Sequence, residues 1–288
     1  MGENYDFQLY VSLEKQEVVH TSKTDSWDMA FQAGRFGKEI YINEAKGMSV
    51  HRTAAREFNQ VSLADTSDVI WRQDEPDGLP GGSAFGDWSS IGHNEASVYI
   101  VRMDVLGTAF KKIRCISVSD GDYLIEVGDI QSSSGTEFVI KKDFNRNYVY
   151  FDLSLLSQVE DIEPPSNTYD LIFTRYGYTF YDQNPPLPYV VTGVLLNPQS
   201  TLAYKDSTQT FYDLTGAFCS QIEFSNAQDV IGFDWKTYSV DKGLYVVNQS
   251  YNYLIRTQSE NYYKLRFLDF YNEDGVKGHP TFEFHQIL

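Results

Sequence analysis

Apolar and aromatic side chains recur at every second position in several short runs, and this alternation constrains the fold more than any other feature of the chain. Tyr148-Val-Tyr-Phe-Asp-Leu153, Tyr262 to Phe270 and Thr281-Phe-Glu-Phe284 all show it. It is the pattern of strands with one face buried and the other in water. Tyr and Phe, 21 and 19 of them, fill much of these runs, and their rings pack better on a pleated surface than along a helix. Turn-forming clusters punctuate the runs: Asp120-Gly121-Asp122, Pro185-Pro186, Asn272-Glu-Asp-Gly275, and Pro76-Asp-Gly-Leu-Pro-Gly-Gly82. Ser49 to Phe58 reads as a short, uncapped helix. The pattern as a whole predicts an all-β chain of antiparallel strands with that minor helix.

The runs also come in a repeated order. Leu9-Tyr-Val-Ser-Leu13, then Val18-Val19, then Ser26-Trp-Asp-Met-Ala-Phe31 is matched by Val149-Tyr-Phe-Asp-Leu153, Val159 and Thr168-Tyr-Asp-Leu-Ile-Phe173. Ile91-Gly92 is matched by Ile231-Gly232, Val98-Tyr-Ile-Val101 by Leu244-Tyr-Val-Val247, and Lys112-Ile-Arg-Cys-Ile116 by Lys264-Leu-Arg-Phe-Leu268. The offsets are all about 140 to 150 residues and keep one order, as a tandem duplication requires. Two β-rich domains are therefore expected, 1–142 and 143–288, joined near Lys141-Lys142-Asp143.

Charge and motifs exclude several functions. With 23 basic against 40 acidic side chains the formal charge is −17, which repels a phosphate backbone and disfavours nucleic acid. No run approaches the roughly 18 apolar residues of a spanning helix. Met1-Gly-Glu-Asn-Tyr5 lacks the basic and apolar segments of a signal peptide, so the chain reads as a trimmed mature form. No Gly-x-Ser-x-Gly, His-Glu-x-x-His or Cys-x-x-Cys occurs. Gly34-Arg-Phe-Gly37-Lys38 is too short between its glycines for a phosphate loop, and the acidic turns do not follow a calcium-loop pattern. Cys115 and Cys219, in mixed apolar runs, read as buried free thiols. A non-enzymatic protein is expected.

The C-terminal sixty residues resemble HmuY, a family of surface haemophore lipoproteins of Gram-negative bacteria. The resemblance rests on Tyr253-Leu-Ile-Arg256, Tyr263-Lys-Leu-Arg-Phe267, Asp269-Phe-Tyr271, and Gly275-Val-Lys-Gly278 leading to Thr281-Phe-Glu-Phe284. Trp27-Asp-Met-Ala-Phe31, Tyr169-Asp-Leu-Ile-Phe173 and Val190-Val-Thr-Gly-Val-Leu-Leu-Asn197 extend it. It implies two tandem domains of HmuY type, an outer-membrane or periplasmic location with a lipid anchor upstream of Met1, and haem held noncovalently between two axial side chains, His or Met. The family places one axial His shortly after a Trp and before paired late strands. Trp88-Ser-Ser-Ile-Gly-His93 has that arrangement, so His93 is the axial candidate. Phe233 stands at the matching place in the second copy, and Leu79 follows the turn where the family has its other ligand.

Met48 and His51 are the remaining candidates for a second axial group. His20, His279 and His285 have no assigned role, and Trp27, Asp28, Tyr169 and Asp170 read as structural. Two functions stay open. One is capture of haem or another small ligand. The other is a surface adhesion module that binds carbohydrate or protein on the same scaffold, through Asn184-Pro-Pro-Leu-Pro-Tyr189 or the tyrosine-rich stretch Tyr245 to Tyr263.

Overall fold

The computed structural model of the chain describes residues 1–90 and 96–287. Among them the regular structure is almost entirely β. A first hairpin pairs β1 (Phe7–Ser12) with β2 (Glu17–Lys23), and β3 (Met29–Gln32), β4 (Ile40–Ile42) and β5 (Ser49–Arg52) follow. A meander runs through β6 (Val98–Arg102), β7 (Phe110–Val118), β8 (Asp122–Asp129) and β9 (Thr136–Lys141). Next come the hairpin β10 (Tyr148–Asp152) and β11 (Ser157–Val159), then the long strands β12 (Leu171–Phe180) and β13 (Leu187–Leu196). The chain ends with β14 (Leu202–Asp206), β15 (Lys236–Ser239), β16 (Leu244–Val247), β17 (Asn252–Arg256), β18 (Tyr262–Tyr271) and β19 (Lys277–Ile287). The one α-helix among the described residues is a single turn, Gly216–Cys219.

The strands form sheets in the orders β13-β12-β1-β2, β11-β10-β3-β4, β14-β17-β18-β19, β5-β6-β7-β8-β9 and the pair β15-β16. Two compact units result. The first gathers Met1–Thr24, Pro164–Arg175 and Val191–Leu288, and the second Asp25–Glu163 and Tyr176–Val190. They do not coincide with 1–142 and 143–288, since the junction near Lys142 lies inside the second unit. The first unit closes on Phe173, Trp235, Tyr253, Phe267 and Phe270, with the Trp235 and Phe267 rings stacked 3.9 Å apart. The second closes on Phe31, Phe85, Trp88, Tyr99, Tyr123 and Phe151.

The interleaving has a simple cause in the strand pairing. Strand β1 lies antiparallel to β12, with Leu9 opposite Phe173 and Val11 opposite Leu171. Strand β10 lies antiparallel to β3 in the same register, Val149 opposite Phe31 and Phe151 opposite Met29. Each opening hairpin thus pairs with the aromatic-Asp box that follows the other hairpin in sequence. An aspartate fastens each pairing: Asp170 Oδ2 accepts the Leu13 N–H at 2.8 Å, and Asp28 Oδ2 accepts the Leu153 N–H at 2.7 Å.

The expected helix over Ser49 to Phe58 is absent. Its first part is β5, which pairs with β6 from Ser49 opposite Arg102 to Arg52 opposite Tyr99. The fully buried, β-branched Val50 also exchanges main-chain hydrogen bonds with Arg72. Long-range pairing of these donors outweighs a weak local helix propensity. Only Phe58–Gln60 winds, as a one-turn 3-10 helix.

A buried carboxyl pair ties the tip of the β12–β13 hairpin into the second unit. Glu44 accepts the Asp74 N–H at Oε1 and the Gly177 N–H at Oε2, both at 3.1 Å. Asp74 turns its carboxyl inward onto the Ala84 and Ile42 amides at 2.7 and 2.8 Å. A Cβ at residue 177 would stand 2.3 Å from the Glu44 carboxyl, so the approach needs glycine. Desolvation pushes Glu44 well above the ordinary carboxylate range and Asp74 up to about 7, against the lowering pull of these amides.

Two outcomes are expected. A protease site inserted in the exposed turn at Phe144-Asn145 and cut in the folded protein should leave two pieces that co-elute without denaturant, because each hairpin stays paired across the cut. Pieces that elute apart would contradict these pairings. As for pH, the folded state retains a proton on Asp74 that the unfolded chain releases above its lower, ordinary pKa. That contribution is complete below about pH 4 and is lost as pH rises through about 7. Thermal melts should lose stability over that window, Asp74 supplying a slope of up to about 1.4 kcal/mol per pH unit, and Asp74→Asn should reduce the loss to the part that Glu44 contributes.

Candidate functional site

The first unit carries a concavity between the outer strands of two sheets. Strand β2 is the outer strand of one sheet and β19 of the other, and a cleft of about 670 Å3 opens between them. Leu9 and Val11 of β1, Val18 of β2, Phe173 of β12 and the Met1 side chain form apolar walls with Phe282 and Phe284 of β19. Period two explains the last pair. Phe282 and Phe284 share the cleft face, Phe282 stacked 5.4 Å from Phe173, while Glu283 between them pairs with Arg266.

Irregular backbone brings polar groups to the rim. The β18–β19 register shifts on both sides of Asp269, whose Oδ1 accepts the Phe270 and Tyr271 amides at 2.6 and 3.2 Å. Asp269 and Tyr271 both line the cleft as a result. Gly278 has φ +84°, and a Cβ there would meet the Gly2 carbonyl at 2.2 Å, so glycine lets the N-terminal segment pack at the foot of His279. Glu17, Glu273 and His279 complete the ionisable rim, and no Lys or Arg is among the described lining residues.

The residues singled out by sequence fall elsewhere. His93 lies outside the described residues. Met48 is fully buried in the core of the second unit. His51 is on strand β5, not a helix, with Nδ1 3.1 Å from the Ile70 carbonyl and its ring against Trp71. The hairpin tip at Asn184-Pro-Pro-Leu-Pro-Tyr189 is exposed. Cys115 and Cys219 are free and buried, and burial pushes both thiols up. Asp28 and Asp170 act as structural ties, and Trp27 packs on Tyr150. Among the described residues no group of three or more His, Cys, Asp or Glu is placed to hold a metal ion, and no helix is long and apolar enough to cross a membrane.

Haem would need an imidazole or thioether at its iron, apolar walls, and partners for two propionates. The cleft supplies walls and the His279 imidazole, yet its rim is carboxylate. It does not fit a doubly anionic porphyrin. Sequence reading passed over His279 and took Phe282 and Phe284 as strand positions only. The alternation that placed them on one face was the available signal. What it lacked was the opposite wall, drawn from the other end of the chain.

A family model described as HmuY protein matches residues 4–284. No curated protein and no solved structure matches the chain.

Met48 gives a direct check on this placement. Met48→Ala should cost about 2–5 kcal/mol of stability as a core cavity, measured by denaturant unfolding, and leave any haemin spectrum unchanged. A stability-neutral substitution would contradict its burial.

Proposed function

The chain belongs to the HmuY family, and from that membership we propose that it is a non-enzymatic, extracytoplasmic binding protein that captures haem, with His93 as an axial ligand. The observation that carries this reading is the extent of the family match, residues 4–284. Two described neighbours of His93 also support it. Trp88 is buried and donates its indole N–H to the Lys38 carbonyl at 3.0 Å, and β6 begins at Val98 in the core of a five-stranded sheet. The same membership supports a location at the outer-membrane surface or in the periplasm.

Of the two second-ligand candidates, Met48 is sealed in the core of the second unit, whereas His51 holds Nδ1 at the Ile70 carbonyl and so keeps Nε2 for a metal. His51 is therefore the second-ligand candidate that we retain.

A second reading, a surface module binding protein or glycan, is favoured by the hairpin tip. Tyr181, Leu187 and Tyr189 are exposed there, and the Tyr181 hydroxyl donates to Glu75 at 2.6 Å. Exposed aromatic rings beside carboxylates suit such partners.

Haemin titration followed by visible absorption separates the two. A saturable Soret shift that His93→Ala abolishes is the expected result. Wild-type spectra that stay those of free haemin would remove haem and leave the surface module.

A further inference from the structure

We propose that the cleft between β2 and β19 binds a small amphiphilic cation, an apolar aromatic or alkyl body carrying an ammonium or amidinium head. The proposal is independent of the haem reading, which concerns the other unit. It starts from the volume, about 670 Å3, which falls in the range of sites for drug-sized ligands. The walls supply apolar contact through Leu9, Val11, Phe173, Phe282 and Phe284.

The sign of the ligand's charge follows from the rim. The Glu17 and Glu273 side chains are exposed and their carboxylates make no hydrogen bond or ion pair with any described residue, so their negative charge is uncompensated where a ligand would enter. The three Lys and Arg residues of β18 and β19 are occupied elsewhere, Lys264 donating to the Leu214 carbonyl at 3.2 Å. Arg266 pairs with Glu283, which alternates away from the cleft-facing Phe282 and Phe284, and Lys277 lies over the Tyr5 ring, 5.3 Å from its centroid. Asp269 adds a third carboxylate, already bound to two amides. An anionic ligand meets repulsion here and a neutral one gains only the walls. A cation gains the walls, the carboxylates, and the π-faces of Tyr271 and Phe282. The chain's overall charge of −17 would draw any cation to the surface, and this cleft adds an apolar floor beside free carboxylates.

Thioflavin T, an apolar aromatic cation, and anilinonaphthalene sulfonate, an apolar aromatic anion, serve as probes in fluorescence titrations of the full chain. The cation should bind saturably at one site, with the anion about tenfold weaker or worse. The surface variant E17Q/E273Q should weaken the cation roughly five- to tenfold at low salt and strengthen the anion. T281W, which fills the cleft from an exposed position, should abolish the cation's binding. Haemin at saturation should not displace it. Equal affinity for the two dyes, no effect of E17Q/E273Q, or displacement by haemin would each overturn the proposal. Because E17Q/E273Q alters only exposed groups, the test stands even if T281W fails to fold.

Discussion

Two aspartates hold distant parts of this chain together, and the architecture depends on them. Asp28 receives a main-chain N–H from a residue 125 positions away, and Asp170 from one 157 positions away. A carboxylate that accepts a buried amide makes a strong, charge-assisted bond, and it also ends the strand at a fixed place. Asp28 gains the Lys46 ammonium at 2.5 Å as well. Asp170 has no such cation, and burial raises its pKa. One tie stands where β1 meets β12, the other where β10 meets β3, beside Val149, Phe151 and Leu153 in the core of the second unit. Each of those side chains contributes roughly 1.5–3 kcal/mol by burial.

Strand content was legible because period two is a local signal. The runs at Tyr148, Tyr262 and Thr281 are strands, and the turn at Asn272–Gly275 separates two of them. The misread segment at Ser49 shows the limit of local reasoning. Ser-Val-His-Arg carries no strong preference, so the partner strand β6, nearly fifty residues on, decided its conformation. Repetition of the hairpin and the aromatic-Asp box was visible in order and spacing. Which hairpin would pair with which box was not, because both register choices place Leu or Phe opposite an apolar residue.

The candidate site was harder to read for the same reason. Its walls come from residues 1–18, from Phe173 and from residues 269–284, segments that no spacing rule connects. Sequence reasoning looked for iron ligands, since a ligand is a residue type, whereas a cleft is an arrangement. The family scaffold is shared across the chain, but function belongs to particular side chains on it. A carboxylate rim on an apolar cleft is one such chemistry, and it belongs to the first unit.

The crossed hairpins have a consequence for the order in which the molecule can be made. The chain passes between the two units at Thr24, Glu163, Arg175 and Val190. Strand β1 is made some 160 residues before its partner β12. During that interval Leu9 and Val11 have no sheet to cover them and the edge of β1 is unpaired, a state prone to wrong association. The first unit closes only when the last strand is present. The second unit needs the chain only as far as Val190, so it is the first unit whose folding waits for the late strands and proceeds through long-range pairing, a slow, high-contact-order route.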